Sequence, residues 1–193
     1  MWELALTTMS DKVAPDDLIS KAQAGDKSAF DQLIRLHERR VLATALRLLN
    51  GNLADAQDAA QTVFLRLHKH LPGVRSGENL AGWLYRVTVN VCLDELKRKS
   101  SLVPLNDDEK TIAASDADPE TRFSDVERRA ALLEGLNSLP AKERAAVVLR
   151  DIEGIDTEEV ARILGSSPAT VRSQLCAARS KLRVFISRMR RRS

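Results

Sequence analysis

The sequence predicts an all-α fold of two small helical domains joined by a flexible acidic linker, with a helix-turn-helix in the C-terminal domain. Only 4% of the 193 residues are aromatic, and the chain has 8 glycines and 6 prolines. This composition is typical of helical proteins. Apolar residues recur at helical spacing along most of the chain, and no segment shows the alternation of a strand. The helical pattern stops between Ser100 and Pro119, where acidic residues and prolines predict the linker.

The first domain is predicted over residues 15–100 and contains four helices. Asp26 is suited to cap the second helix at its N-terminus, and Asn50-Gly51 is suited to end it. Pro72 is suited to end the third helix, because proline lacks the backbone N–H that a helix interior needs. The predicted helices cover, in order, residues 16–24, 26–49, 53–71 and 78–99.

The rest of the chain divides into a linker over residues 101–119, a second domain over residues 120–187 and a basic tail over residues 188–193. The second domain contains helices over about 120–136 and 139–154, followed by the helix-turn-helix. The formal net charge is only +3, but basic residues collect near the C-terminus while the linker is acidic. Local basic faces, rather than net charge, therefore favour contact with nucleic acid.

Residues 1–14 form an N-terminal extension without the positively charged region of a signal peptide. No apolar run in the sequence approaches the length of a membrane span. The sequence therefore predicts a cytoplasmic protein with no membrane contact of its own.

The segment from Asp156 to Arg183 predicts two helices joined by a tight turn. The first covers Thr157–Leu164, Gly165 breaks the pattern, and Pro168 fits the first turn of the second helix, where its missing N–H costs nothing. This is a helix-turn-helix pattern, whose second helix can lie in the DNA major groove. The core stripe of that helix comprises Val171, Leu175, Ala178 and Leu182.

The other face of this helix is predicted to be exposed and made of mostly small residues, which allows close approach to base edges. Arg172 can reach a guanine edge or a phosphate from this face. The alternative is an ordinary amphipathic helix with a solvated basic face. The predicted exposed residues are Ala169, Arg172, Ser173, Cys176 and Ser180.

The fourth helix carries a second candidate surface. Trp83, Arg86 and Asn90 lie on one stripe, and an aromatic ring beside amide and guanidinium groups suits unstacked bases. The alternative is that Trp83 fills the core between helices. Lys97, Arg98 and Lys99 close the helix, where cations are also favoured by the helix dipole alone.

The third helix has more apolar positions than one core stripe needs, beside a polar and acidic edge. Asp58 and Gln61 on that edge, next to Leu65, suit docking onto a protein with a basic patch. The alternative is a solvated face. His68 and His70 do not share a helix face, so a metal pair is not predicted.

No enzyme, metal or cofactor is predicted. The sequence has no Gly-rich phosphate loop, no metal-ligand spacing and no pairing of a nucleophile with a base. Cys92 and Cys176 stand far apart and outside any C-x-x-C pair, so each is predicted to be a small helix residue, the alternative being a redox-sensitive thiol.

Two blocks together resemble a known family. DAQDAAQTVFLRLHKHL followed by AGWLYRVTVNVCLDELKRK resembles region 2 of the extracytoplasmic-function (ECF) class of bacterial sigma factors. LPAKERAAVVLRDIEGIDTEEVARILGSSPATVRSQLCAARSKLR resembles their region 4. The resemblance covers the chain from about Asp16 to Arg183. It implies that residues 15–100 form the region 2 domain and residues 120–187 the region 4 domain.

The resemblance implies a role in transcription initiation, with core RNA polymerase and promoter DNA as partners. The first domain would dock on the polymerase clamp and read the −10 element as a melted strand. The second domain would rest on the polymerase flap and read the −35 element as duplex. The residues that match the polymerase-binding pattern are Asp58, Gln61, Phe64 and Leu65. Those that match the −10 segments are Arg75, Asn79, Trp83, Arg86, Asn90, Lys97 and Arg98. Those that match the −35 positions are Thr170, Arg172, Ser173 and Arg179.

The resemblance also implies control by a cognate anti-sigma factor and a response to stress. Gln174 and Cys176 depart from the family pattern beside the groove face, which affects the predicted base preference. The competing hypothesis is a stand-alone helix-turn-helix transcriptional regulator with an N-terminal helical sensing domain.

Overall fold

The computed structural model describes residues 15–74, 79–102 and 130–190, and these residues are helical apart from their connections. The N-terminal extension, Arg75, residues 103–129 and the end of the basic tail lie outside the described residues. The N-terminal half consists of α1 (Pro15–Gln23), α2 (Lys27–Leu48), α3 (Leu53–His70) and α4 (Leu80–Leu102), with a 3₁₀ turn at Leu71–Gly73.

The ends of α2 follow from local chemistry. The Asp26 carboxylate accepts hydrogen bonds from the backbone N–H groups of Ser28 at 2.8 Å and Ala29 at 3.2 Å, which satisfies donors that the first turn leaves free. Asn50 beyond the helix end has φ +60, a left-handed conformation that asparagine tolerates better than most residues. The predicted cap and stop of this helix are therefore confirmed.

The C-terminal half consists of a helix over 130–137, here α5, followed by α6 (Ala141–Val147), α7 (Thr157–Leu164) and α8 (Pro168–Arg190). The α6 helix continues into a π-helical turn at Val148–Ile152, whereas the sequence pattern predicted one uninterrupted helix to residue 154. A π turn adds one residue to a helical turn, and apolar periodicity is too coarse to reveal it.

One of two apolar cores belongs to the N-terminal half alone. Leu33, Val63 and Leu67 are fully buried in it, and the cluster draws on α1 to α4 and the 3₁₀ turn. This core holds α3 and α4 against α2 and so fixes the two faces that carry the predicted polymerase-binding and −10 residues.

The other core is shared by both halves of the chain. It joins Leu48 and Leu49 at the end of α2 and Val89 of α4 to Val148, Leu149 and other buried residues of α5 to α8. The sequence predicted two separate domains on a flexible connector, but in the structure the two halves pack against each other. The domain boundaries themselves remain a prediction.

Among the described helices, none has both the length and the apolar character that crossing a membrane requires.

Candidate functional site

The turn between α7 and α8 is built from local signals that the sequence displays. The Asp156 carboxylate accepts a hydrogen bond from the backbone N–H of Glu159 at 2.7 Å and caps α7. Gly165 ends α7 with φ +59, a left-handed conformation that glycine adopts without steric cost. The Ser167 hydroxyl then accepts from the backbone N–H of Thr170 at 3.1 Å at the start of α8. This turn fixes the angle at which α8 leaves α7.

One side of α8 is buried and the other is open. Val171 and Ala178 are fully buried and seat the helix against α6 and α7. The residues predicted to face outward are all exposed, and apart from Arg172 all of them are small. A helix surface of this kind can approach base edges in a major groove closely. The exposed residues are Ala169, Arg172, Ser173, Cys176 and Ser180.

The cations on α8 are not equally available. The Arg172 side chain is 63% exposed and lies 3.3 Å from the carboxylate of Glu158. Arg179 instead donates two hydrogen bonds to Asp151, at 3.1 and 2.6 Å, and this pairing raises the pKa of Arg179 above its usual value. A phosphate could bind Arg179 only by displacing the Asp151 carboxylate, which holds the guanidinium through two hydrogen bonds. Arg172 can turn toward a base with little loss of interaction energy.

Five of the seven residues predicted for −10 contact share one face of α4. They are separated by three, four or seven positions, which brings side chains together along a helix. Arg86 and Asn90 are exposed. Asn79 accepts a hydrogen bond from the backbone N–H of Gly82 at 2.9 Å, so it also caps the helix. The five residues are Asn79, Trp83, Arg86, Asn90 and Lys97.

Trp83 combines the two roles that the sequence left open. Its side chain is half-buried and packs against the N-terminal core. Its indole also stacks on the His70 ring, with centroids 4.4 Å apart and planes 2° from parallel. The ring is therefore fixed in place with one face partly covered, and sequence reasoning did not single out His70 as its neighbour.

Of the other two −10 candidates, Arg98 is engaged by a neighbour on α4. Arg98 donates two hydrogen bonds to Glu95, at 2.9 and 2.6 Å, and the pair raises the pKa of Arg98 and lowers that of Glu95. Arg75 lies outside the described residues. Arg98 therefore belongs to a surface ion pair on α4, and its role in −10 contact remains a prediction.

The four polymerase-binding candidates lie together on α3. Asp58 and Gln61 are exposed, and Leu65 is 60% exposed. Phe64 is half-buried and packs against the N-terminal core, which anchors the others. A large exposed leucine beside acidic and amide groups is the kind of mixed surface that protein interfaces use.

A shallow cleft that is open to solvent lies between α2 and α4, where His37 and Arg40 face Leu84 and Tyr85. Burial and the neighbouring charge of Arg40 lower the pKa of His37 in this cleft. No group of three metal-ligating side chains occurs in the part of the chain that the structure describes.

Comparison with known proteins decides between the hypotheses. Residues 33–102 match the family Sigma-70 region 2, and residues 129–182 match Sigma-70, region 4. The chain is 36% identical to the ECF RNA polymerase sigma factor SigE of Mycolicibacterium smegmatis, across 97% of this chain and 76% of SigE. The chain belongs to the ECF RNA polymerase sigma factors.

A second relative agrees with this assignment, and a solved structure agrees with the fold. The sigma factor is 36% identical to the ECF sigma factor SigM of Mycobacterium tuberculosis, across 86% of this chain and 81% of SigM. Its fold resembles that of the sigma factor RpoE of Bartonella quintana, solved with the anti-sigma factor NepR, with a TM-score of 0.63 at 22% identity. That match covers 82% of this chain and 96% of the solved one. Sigma factors are transcription initiation factors and not enzymes, so the predicted absence of enzymatic activity is confirmed by the family.

The sequence pattern did not indicate two residues that connect the two halves of this sigma factor. Arg144 and Glu153 each make hydrogen bonds to the other half of the chain. Both occupy ordinary positions in a helical pattern, and their partners in the other half lie 68 to 109 residues away. Arg144 directly follows Lys142 and Glu143 in α6, so its charge did not stand out in the sequence.

Proposed function

We propose that this sigma factor directs core RNA polymerase to promoters by two separate DNA contacts, one to a melted strand and one to a duplex. The α4 face with Trp83, Arg86 and Asn90 would hold the unpaired strand of the −10 element, because bases stack on rings and bond to flanking amides. The α8 face with Arg172 would read the −35 element as duplex. The exposed edge of α3 with Asp58 and Leu65 would contact the polymerase clamp, and the second domain would rest on the flap.

One observation carries this proposal: two exposed faces of different character lie on two helices from opposite halves of the chain. The α8 face is built of small side chains for groove entry, and the α4 face is built around an aromatic ring. A single duplex-binding regulator would need only the first of these. We therefore favour two-point promoter recognition over the stand-alone regulator, and the shallow cleft between α2 and α4 gives the sensing domain of that alternative little support.

Regulation is part of the same proposal. Because a structural neighbour was solved with an anti-sigma factor, we infer that a cognate anti-sigma factor restrains this chain in the cytoplasm, where RNA polymerase works. The inducing signal would act on that partner.

Run-off transcription tests the function. Purified protein is mixed with core RNA polymerase and a library of promoter fragments, and we expect transcripts that depend on both components. If the protein binds promoter DNA tightly by itself and adds nothing to core polymerase, it is a stand-alone regulator and the proposal is wrong.

The α3 surface can be tested by direct binding to core polymerase. Asp58→Ala is expected to weaken core binding by about tenfold, the effect of losing about 1.4 kcal/mol, and to leave −35 duplex binding unchanged. Asp31→Ala removes the same charge from an exposed position on α2 and serves as the matched control. Titration of each labelled variant with core polymerase gives its affinity for the polymerase. Equal losses of affinity in the two variants would argue against α3 as the docking surface.

A further inference from the structure

The end of α3 and the first turn of α4 are joined by two stacked rings. His70 is the last residue of α3, and its imidazole lies parallel to the Trp83 indole with centroids 4.4 Å apart. Trp83 is half-buried and also packs against the N-terminal core. Because an indole has two faces, this arrangement leaves at most one of them for stacking with a base.

A second histidine on α3 makes a different contact. His68 lies two residues before His70 and is exposed. Its ring meets Phe30 of α2 edge-on, with centroids 5.3 Å apart and planes at 85°. Of these two histidines, His70 is therefore the one that contacts the predicted −10 face.

The backbone that carries Trp83 is fixed by the cap of α4. The side-chain oxygen of Asn79 accepts from the backbone N–H of Gly82 at 2.9 Å, and the Asn79 carbonyl accepts from the backbone N–H of Trp83 at 3.0 Å. These bonds fix the point at which the indole is attached. The side chain could still rotate about its own torsion angles, and the stack with His70 restricts that rotation.

A glutamine of α1 holds the turn that follows His70. The Gln23 Nε2 group donates to the backbone carbonyl of Leu71 at 2.8 Å and to that of Val74 at 2.7 Å. The two carbonyls flank the 3₁₀ turn at Leu71–Gly73, and carbonyl groups at a helix end lack partners within the helix. One side chain thus ties α1 to the end of α3, across 48 and 51 residues of sequence.

The anchor that α1 provides is itself firmly seated. Leu18, Ile19 and Ala22 are buried in the N-terminal core, and Gln23 is the last residue of the helix. The match to Sigma-70 region 2 begins at residue 33, so it does not include α1. A helix outside the matched region therefore supports the backbone from which His70 reaches Trp83.

We propose that His70 and Gln23 are positioning residues for promoter melting. His70 holds the Trp83 indole in a fixed orientation in which one unpaired base of the −10 element stacks on it, and Gln23 holds the turn that sets His70. A ring already held in its bound orientation loses less conformational freedom when a base arrives, so it binds the base more tightly. The effect on DNA rests on the proposed function, whereas the positioning of Trp83 rests on the contacts above.

Five substitutions separate positioning from folding. His70→Ala removes the stacked ring, and His70→Phe puts a flat ring back. Gln23→Ala removes both hydrogen bonds to the turn. The controls make the same changes at exposed positions: His68→Ala on α3, two residues from His70, and Gln32→Ala on α2.

The first measurement is the time-resolved fluorescence anisotropy of Trp83 in the full-length protein. A Trp2→Phe background leaves Trp83 as the sole tryptophan of the chain. The parent should show only the slow tumbling of the protein. We expect His70→Ala to add a fast component, since unrestrained side chains change rotamer in picoseconds to nanoseconds, and Gln23→Ala to add a smaller one.

His70→Phe and both controls should show the same anisotropy decay as the parent. A fast component in the parent, or none in His70→Ala, would overturn the positioning role of His70. Absence of a fast component in Gln23→Ala alone would overturn the part assigned to Gln23.

The second measurement is DNA binding by core polymerase loaded with each variant. The probe is a duplex of randomised sequence with an unpaired stretch, compared with the same duplex fully paired and with core polymerase alone. We expect His70→Ala to weaken binding to the unpaired probe about threefold to tenfold, the effect of one more side chain to be ordered on binding, and His70→Phe to restore it.

Affinity for core polymerase should be the same in all of these variants, which a general loss of structure would not allow. Equal or tighter binding of the unpaired probe by His70→Ala would show that His70 competes with the base, and would overturn the proposal.

A double substitution tests whether Gln23 acts through His70. Gln23→Ala should weaken binding to the unpaired probe in the parent and have no further effect in the His70→Ala background. Additive losses would overturn this link. If no form of the loaded polymerase prefers the unpaired probe, the proposed function of α4 fails and the effect on DNA with it, while the anisotropy still decides whether His70 positions Trp83.

Discussion

Cys92 and Cys176 lie in opposite surroundings, although the sequence predicts the same role for both, that of a small helix residue. Cys92 is fully buried in the shared core, and burial raises the pKa of its thiol to about 12. Cys176 is exposed on the α8 face. Because the thiolate is the reactive form, Cys92 is protected against both alkylation and oxidation while the protein is folded.

We therefore predict that iodoacetamide at pH 8 modifies one thiol in the folded protein and two in denaturant. Mass spectrometry of the peptides should place the native modification on Cys176. The Cys176→Ser variant should give no rapid modification in native buffer. Rapid labelling of Cys92 in the folded state would show that the shared core opens readily.

Substitution of Arg172 tests whether a single residue of α8 recognises bases in the −35 element. Arg172→Ala should lower affinity by about 1–3 kcal/mol at one or two positions of the −35 element and relax the preference there. Its weak contact with Glu158 means that little folding energy is lost with it. Binding titrations against single-base variants of the element provide the measurement.

Arg35→Ala, an exposed arginine on α2, is the control for the loss of one positive charge. If Arg172→Ala weakens binding equally for every sequence, then Arg172 contacts a phosphate and the base preference arises elsewhere on α8.

At the scale of elements, the helix-turn-helix could be predicted to the residue because its signals are local. Asp156, Gly165 and Pro168 each act on the backbone beside them, and the observed bounds of α7 and the start of α8 match the prediction. The π turn could not be predicted, since the backbone gains one residue there without any change in the apolar pattern.

We predict that the cap of α7 contributes measurably to stability. Asp156→Ala should lower the free energy of unfolding by about 1 kcal/mol, because the carboxylate no longer accepts from the Glu159 N–H. Asp156→Asn keeps an acceptor and should cost less. Urea unfolding followed by circular dichroism measures both, and equal costs for the two variants would mean that charge, and not capping, is what matters at this position.

At the scale of the whole molecule, composition and periodicity predicted an all-helical chain and both candidate DNA faces, but not how the halves meet. Arg47 and Glu153 are 106 residues apart, and nothing near either residue indicates the other. The site predictions share this limit. Face residues such as Arg86 could be placed from helical spacing, whereas the pairing of Arg179 with Asp151 depends on tertiary contact.

The shared core predicts that the two halves unfold together. Scanning calorimetry should show one transition whose calorimetric and van't Hoff enthalpies agree. Leu33→Ala, in the core of the N-terminal half alone, should cost about 2–5 kcal/mol and shift that single transition as a whole. Two resolved transitions, with only one moved by Leu33→Ala, would show that the halves are thermodynamically independent.

The core that Leu48 and Val89 form together with Leu149 also limits how freely this protein can exchange parts with its relatives. A chimera that joins residues before the linker to the C-terminal half of another sigma factor would bring together two apolar surfaces that were never fitted to each other. Such hybrids would expose that surface and aggregate, unless the acceptor also receives the residues that face it. To exchange promoter specificity between this chain and a relative, the residues at the surface between the two halves must therefore be transferred together with the DNA-binding half.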